Sequence, residues 1–268
     1  MTDIINPMPS NTPPFIDLAW FKMAQPQATR INCSVQHSCE VFEYDSLRWI
    51  CTADGAVQSM LFTEDHSYPV LHYIKALLCS LVFVDKPGKM LNLGLGSGAI
   101  ERYVESHHPE IAMTSIEPEV EMITLSKECF YLDSRYPVRN QSAESFLHDN
   151  QQQFDLIICD IHCPPEQPNP IETMTFLQNL TNALLPQGVV AINFLAESES
   201  HIIDMLVRLR QIFEQVTLID VLRQQNIVFY CSNNPFPEPS ELNLKAALPV
   251  YGNIQAETII SQLIWLPE

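Results

Sequence analysis

Positive charge is scarce in this chain: 14 Lys and Arg face 32 Asp and Glu, giving a formal net charge of −18 over 268 residues. Such a surface offers little to a phosphate backbone or an anionic lipid, so neither nucleic acid nor a membrane is expected as a partner. Long apolar runs are also missing. The longest strongly apolar stretch, around Ala76 to Val84, is too short to cross a bilayer. The start, Met1-Thr2-Asp3-Ile4-Ile5-Asn6-Pro7, has no basic segment leading into an apolar one. A cytoplasmic location is the expectation. The eight cysteines lack the density of a small disulfide-stapled scaffold and read as mostly reduced core thiols. No second Cys/His pair with ligand spacing accompanies Cys159-Asp160-Ile161-His162-Cys163, so no metal is expected.

Glycine is scarce as well, and its placement is informative. Of seven glycines, Gly94, Gly96 and Gly98 fall within five residues, directly behind the apolar run Met90-Leu91-Asn92-Leu93. A glycine turn between a buried strand and a helix lets the backbone approach a ligand, and free N–H groups at the helix start favour polar or anionic groups. A nucleotide-like small molecule is the expected ligand.

Apolar residues make up 46% of the chain, ample for a sizeable core. Residues 1–30 are rich in Pro and polar residues and read as a loose arm. Residues 31–66 read as a small β unit, with β-prone Glu40–Tyr44 and Leu47–Thr52, a turn at Asp54-Gly55, and Val57–Met60. Phe42, Tyr44 and Trp49 are expected to pack between this unit and the main domain, with the mouth of the pocket as the alternative. Residues 67–232 form the main α/β domain. Apolar spacing from Tyr68 to Phe83 suggests a helix, then strands are expected at Met90–Leu93, Ile111–Ile116, Val138–Gln141, Leu156–Cys159, Val189–Phe194, Val216–Val221 and Ile227–Cys231. Helical segments between most of them imply a doubly wound, mostly parallel seven-stranded sheet. Only Leu222-Arg223-Gln224-Gln225-Asn226 separates the last two strands, so these should close the sheet as an antiparallel hairpin. Residues 233–268 are Pro-rich without clear periodicity and read as a surface tail.

Ligands of a doubly wound sheet sit beyond the carboxyl ends of its strands. Three such ends carry suggestive groups: the glycine loop, Glu117 after the second strand, and Asp160 after the fourth. Glu117 lies 19 residues past Gly98, where a carboxylate could accept hydrogen bonds from ribose hydroxyls. Gly94-Leu95-Gly96-Ser97-Gly98-Ala99 satisfies both the G-x-G-x-x-A pattern of dinucleotide folds and the G-x-G-x-G turn of nucleoside-sulfonium binders. The terminal hairpin and Leu185-Pro186-Gln187-Gly188-Val189-Val190-Ala191-Ile192-Asn193 resemble the closing part of the S-adenosylmethionine-dependent methyltransferase fold. A nicotinamide-dependent oxidoreductase is the outside alternative.

Within that fold the chain resembles the spermidine synthase family of aminopropyltransferases, from about Glu40 to Cys231. The resemblance is carried by Asp54-Gly55-Ala56-Val57-Gln58, His72-Tyr73, Leu91 to Gly98, Ile116-Glu117-Pro118-Glu119, Ser142 to Leu147, and Phe154 to Asp160. It implies a transferase using S-adenosylmethionine or its decarboxylated form, with a diverged polyamine aminopropyltransferase as the first reading. The alternatives are a methyltransferase and a catalytically silent nucleoside-binding protein. The resemblance places Gly94, Gly96, Ser97, Gly98, Glu117, Ser142 and Ala143 at the cofactor, Gln58, His72, Tyr73 and His162 at the substrate, and Asp160 in catalysis. The expected partners are a small-molecule substrate, an amine among the candidates, and a second copy of the chain as a homodimer.

The departures from the family concern the amines. Ser97 stands where the family has an Asp in the glycine loop. The family's D-S-x-D-P reads Asp160-Ile161-His162-Cys163-Pro164 here, so Cys163 replaces a second carboxylate. Ser142 replaces an adenine-contacting Asp.

Overall fold

The computed structural model describes residues 13, 16, 18–33, 39–51, 57–163, 168–221 and 225–266. The expected Asp54-Gly55 turn lies outside these residues, as does Pro164.

The N-terminal part is a four-stranded antiparallel sheet of β1 (Thr29–Ile31), β2 (Glu40–Tyr44), β3 (Leu47–Cys51) and β4 (Val57–Phe62), paired in that order. One face closes over an aromatic cluster. The fully buried Trp49 packs 6.0 Å from the Phe42 ring and meets Trp20 edge-on at 5.7 Å. Trp20 comes from α1 (Leu18–Ala24), inside the stretch read as a loose arm. The aromatic payload of that one turn anchors it, despite its prolines and polar neighbours.

The main sheet contains β5 (Lys89–Leu93), β6 (Ala112–Ile116), β7 (Val138–Arg139), β8 (Phe154–Cys159), β9 (Leu184–Leu195), β10 (Gln215–Asp220), β11 (Asn226–Ser232) and β12 (Ile264–Trp265). Their spatial order is β12-β10-β11-β9-β8-β5-β6-β7. β5 to β9 run parallel, and β11 is antiparallel to both β9 and β10, as the short connection requires. Successive strand residues face opposite sides, so apolar runs feed two cores. Met90, Leu156, Ile158 and Val228 enter one; Leu91, Ile157, Cys159 and Phe229 enter the other. The first core is covered by α2 (His72–Leu78) and α3 (Ala99–His107), and the second by α5 (Ala143–Asp149), α6 (Met174–Asn182) and α7 (Glu199–Ile212). A further helix, α4 (Val120–Glu128), packs Leu125 against the small sheet.

Two expectations need correction. The sheet has eight strands, not seven, because the supposed tail adds β12 to the edge of β10, with Trp265 opposite Thr217. The same segment forms α8 (Pro239–Ala246) and α9 (Ala256–Ile260), whose Leu242, Ala246, Ala256 and Ile260 complete the first core. These pieces are interrupted at Pro249 and Gly252, too short to show periodicity. Helix α2 is also shorter than the Tyr68–Phe83 spacing suggests, giving way to a 3-10 turn at Cys79–Val82. Pro69 biases the preceding residue away from helical geometry, which delays the start.

Candidate active site at the carboxyl edge of the sheet

After β5 the chain continues to β6 and β7 on one side, then returns to β8 on the other. A crevice therefore opens where β5 and β8 end, the switch point at which open α/β sheets bind ligands.

The glycine loop sits there, and its three glycines all have left-handed backbone: Gly94 φ +100°, Gly96 φ +52° and Gly98 φ +79°. At Gly94 there is a second constraint, since a Cβ would run into the carbonyl of Asp160. That close approach is held by Gly94 N–H donating to Ile116 O at 3.0 Å and Asp160 N–H donating to Leu93 O at 2.9 Å. Gly98 caps α3 without a side chain.

Beneath the loop lies a buried polar layer. Asn92 Nδ2 donates to Gly94 O at 2.8 Å and to Glu101 Oε1 at 2.7 Å, and Ser115 Oγ donates to the same Glu101 oxygen at 2.7 Å. Burial pushes the Glu101 carboxyl up to about 7, against the pull of those two donors. Arg102 fastens the loop from the other side. Its guanidinium donates to the carbonyls of Ser97, Phe130 and His66.

Two carboxylates flank the loop. Glu117 is buried: Oε2 accepts from Leu95 N–H at 3.0 Å and Oε1 from Glu119 N–H at 3.0 Å. Burial raises its pKa, opposed by the hydrogen bonds from Leu95 and Glu119. Asp160 keeps part of its surface open. Its Oδ1 accepts from Asn193 Nδ2 at 2.8 Å, and the Tyr73 hydroxyl lies beside the same carboxylate and favours its charged form. Enclosure by protein pushes Asp160 up to about 6; Asn193 and Tyr73 oppose this, and the charge of Glu117 adds to it. Glu117 and Asp160 are thus electrostatically coupled across one crevice.

The sequence-derived residues distribute unevenly around this centre. Gly94, Gly96, Ser97, Gly98, Glu117, Asp160 and Tyr73 converge. Gln58 joins them through its backbone carbonyl, 3.5 Å from the Tyr73 hydroxyl, while its side chain accepts from Cys39 Sγ. His72 begins α2 and is half-buried; burial lowers its pKa, and Lys75 lowers it further. Ser142 caps α5, its hydroxyl accepting from Ser145 N–H at 3.2 Å, and Ala143 is buried as the first residue of that helix. His162 is exposed, and the Cys163 thiol donates to Pro168 O at 3.5 Å.

Ser59 went unnoticed in the sequence. Its hydroxyl donates to Ser97 Oγ at 2.7 Å and accepts from Ser97 N–H at 3.1 Å, both residues being buried. The small sheet thereby contributes a neutral hydroxyl pair to the glycine loop. A serine on a strand gives no sequence signal of such a contact. Asn193 was also unmarked, hidden inside an apolar strand.

The chain is 22% identical over 158 residues to the polyamine aminopropyltransferase of Chromobacterium violaceum, covering 58% of this chain and 60% of that protein's length. Its fold is similar to a probable spermidine synthase from Corynebacterium glutamicum, with a TM-score of 0.67, 20% identity and coverage of 81% of this chain and 86% of the other. It is similar also to human methyltransferase-like protein 13 in complex with SAH, with a TM-score of 0.60, 19% identity and coverage of 71% and 92%. Residues 73–234 match the spermine/spermidine synthase domain. Since that match takes in more than half of the chain, from the Tyr73 of the crevice to the end of the terminal hairpin, this protein belongs to the spermine/spermidine synthase family.

Proposed function

We propose that the crevice binds an adenosyl-sulfonium compound, S-adenosylmethionine or its decarboxylated form, and that the protein is a transferase acting on an amine, a diverged aminopropyltransferase. The observation that carries this reading is the left-handed glycine loop set between the carboxylates of the buried Glu117 and the half-buried Asp160. Gly94, Gly96 and Gly98 bring bare backbone to the cofactor, Glu117 offers acceptors to ribose hydroxyls, and Ser142 and Ala143 lie where the base would be held. Bound there, the sulfonium would supply an electrophilic carbon.

Asp160 supplies the acceptor chemistry. An alkylamine is protonated in water and must lose a proton before it can attack carbon. With its pKa at about 6, Asp160 is mostly ionised at neutral pH, so it can hold the ammonium and then take its proton. The nitrogen lone pair would then form the new N–C bond as the C–S bond breaks, the electron pair of that bond returning sulfur to a neutral thioether. Tyr73 and Gln58 border the path of the amine, and His162 stands exposed at its mouth.

The Ser59–Ser97 pair favours a second reading, a methyltransferase. A neutral hydroxyl pair does not repel the carboxylate of an intact amino-acid tail, whereas an ammonium tail finds no counter-charge there. Steady-state assays with amine acceptors and both cofactor forms separate the readings. We expect low or absent turnover of putrescine with decarboxylated S-adenosylmethionine, and loss of any residual turnover in Asp160→Asn. Turnover indifferent to Asp160→Asn would remove that residue from the chemistry.

A further inference from the structure

A carboxylate in this crevice faces opposing influences. Burial and Glu117, from the end of β6, favour its protonated form, while Asn193 of β9 donates to it and the neighbouring Tyr73 hydroxyl of α2 also favours the anion. Among the described residues Cys159 also faces its charge, and burial pushes that thiol up strongly, so it stays neutral.

Asn193 is itself held. Its Oδ1 accepts from Asn226 Nδ2 at 2.9 Å, and its Nδ2 donates to Asp160 Oδ1 at 2.8 Å. A primary amide has one acceptor end and one donor end. With the acceptor end taken by Asn226, the donor end must face Asp160, and the amide cannot turn over without breaking both bonds. Strand register makes the alignment rigid. Ile192 pairs with Cys159 across β8 and β9, so Asn193 and Asp160 follow on adjacent strands; Val228 pairs with Asn193 and Asn226 with Leu195 across β9 and β11.

We propose that Asn193, oriented by Asn226, is a positioning residue that fixes one oxygen of Asp160 and holds this carboxylate in its anionic form. The relay runs in one donor direction across three strands, Asn226 to Asn193 to Asp160, and ends on the carboxylate that faces the crevice. A protonated Asp160 could neither hold an ammonium nor accept a proton, so the two asparagines set the pH range in which the site works. The functional weight of this relay rests on the transferase reading; the relay itself does not.

The test reads Asp160 directly, in protein carrying 13C at the aspartate side-chain carboxyls, with the resonance assigned by its absence in Asp160→Asn. In the unaltered protein the midpoint should lie near 6. In Asn193→Leu it should rise by about one pH unit or more, the loss expected for a hydrogen bond to a charged group. Asn226→Leu should raise it less, and Asn193→Gln, which keeps a donor, should recover part of the shift. Should Asn193→Leu fail to fold, Asn193→Ser serves, its hydroxyl being too short to reach. A folded Asn193→Leu or Asn193→Ser variant with an unchanged midpoint would overturn the proposal. Because the titration needs no cofactor or turnover, a protein inactive with every amine can still show the shift, and the two readings fail separately.

Discussion

Glu101 offers a sharp test of the buried layer beneath the glycine loop. Its Oε1 receives Asn92 and Ser115, but its Oε2 and the Asn92 Oδ1 are both buried acceptors without a partner among the described residues. A proton on Glu101 relieves the burial of charge, which is why its pKa stands near 7 rather than 4.5. The folded-state value lies above the unfolded one, so its stabilising contribution is complete below about pH 4.5 and is lost as pH rises through 7. At roughly 1.4 kcal/mol per pH unit, the ionised form costs on the order of 3 kcal/mol. Glu101→Gln keeps the acceptor for Asn92 and Ser115, places an amino group where Oε2 stood, and removes the ionisation. Urea denaturation should find the variant more stable than the parent at pH 8, with the difference shrinking by about 2 kcal/mol at pH 5. Parallel stability profiles for the two proteins would refute the reasoning.

Arg102→Leu strips donors from three carbonyls, each worth about 1 kcal/mol or more, and should destabilise by about 3 kcal/mol in the same assay; an unchanged midpoint would contradict that. Gly94→Ala should be destabilising through both its left-handed backbone and the Asp160 carbonyl, whereas Gly252→Ala, at an open position with no such φ, should leave the thermal midpoint unmoved. Glu117→Ala should lower affinity for an adenosyl ligand about tenfold or more. It should also lower stability, because the N–H groups of Leu95 and Glu119 lose their acceptor.

The central strands were legible because their apolar runs are compact and both faces of the sheet are covered, so β5, β6, β8, β10 and β11 fall close to the expected spans, whereas β9 begins at Leu184, five residues before the expected Val189. The glycine loop, Glu117 and Asp160 were legible for a related reason: topology puts every parallel strand end on one edge, whatever the side chains. The C-terminal segment was not, because its core residues are dealt out over short helices broken by Pro249 and Gly252. Burial of charge was hidden too. Nothing in the sequence sets Glu101-Arg102 apart, yet both residues are enclosed, one by Asn92 and Ser115 and the other by backbone carbonyls. On α7 Ile203 is exposed while Met205 is fully buried; a small error of phase moves a residue across a helix edge. Ser59 and Asn193 act through partners 38 and 33 positions away, and no local pattern marks them.

The most direct measurement is a calorimetric titration of the protein with S-adenosylmethionine, decarboxylated S-adenosylmethionine, methylthioadenosine and NAD, repeated on Glu117→Ala. An adenosyl-sulfonium site predicts saturable binding of at least one sulfonium compound, weaker binding in Glu117→Ala, and none of NAD. Binding of NAD alone, or sulfonium binding indifferent to Glu117→Ala, would contradict the account.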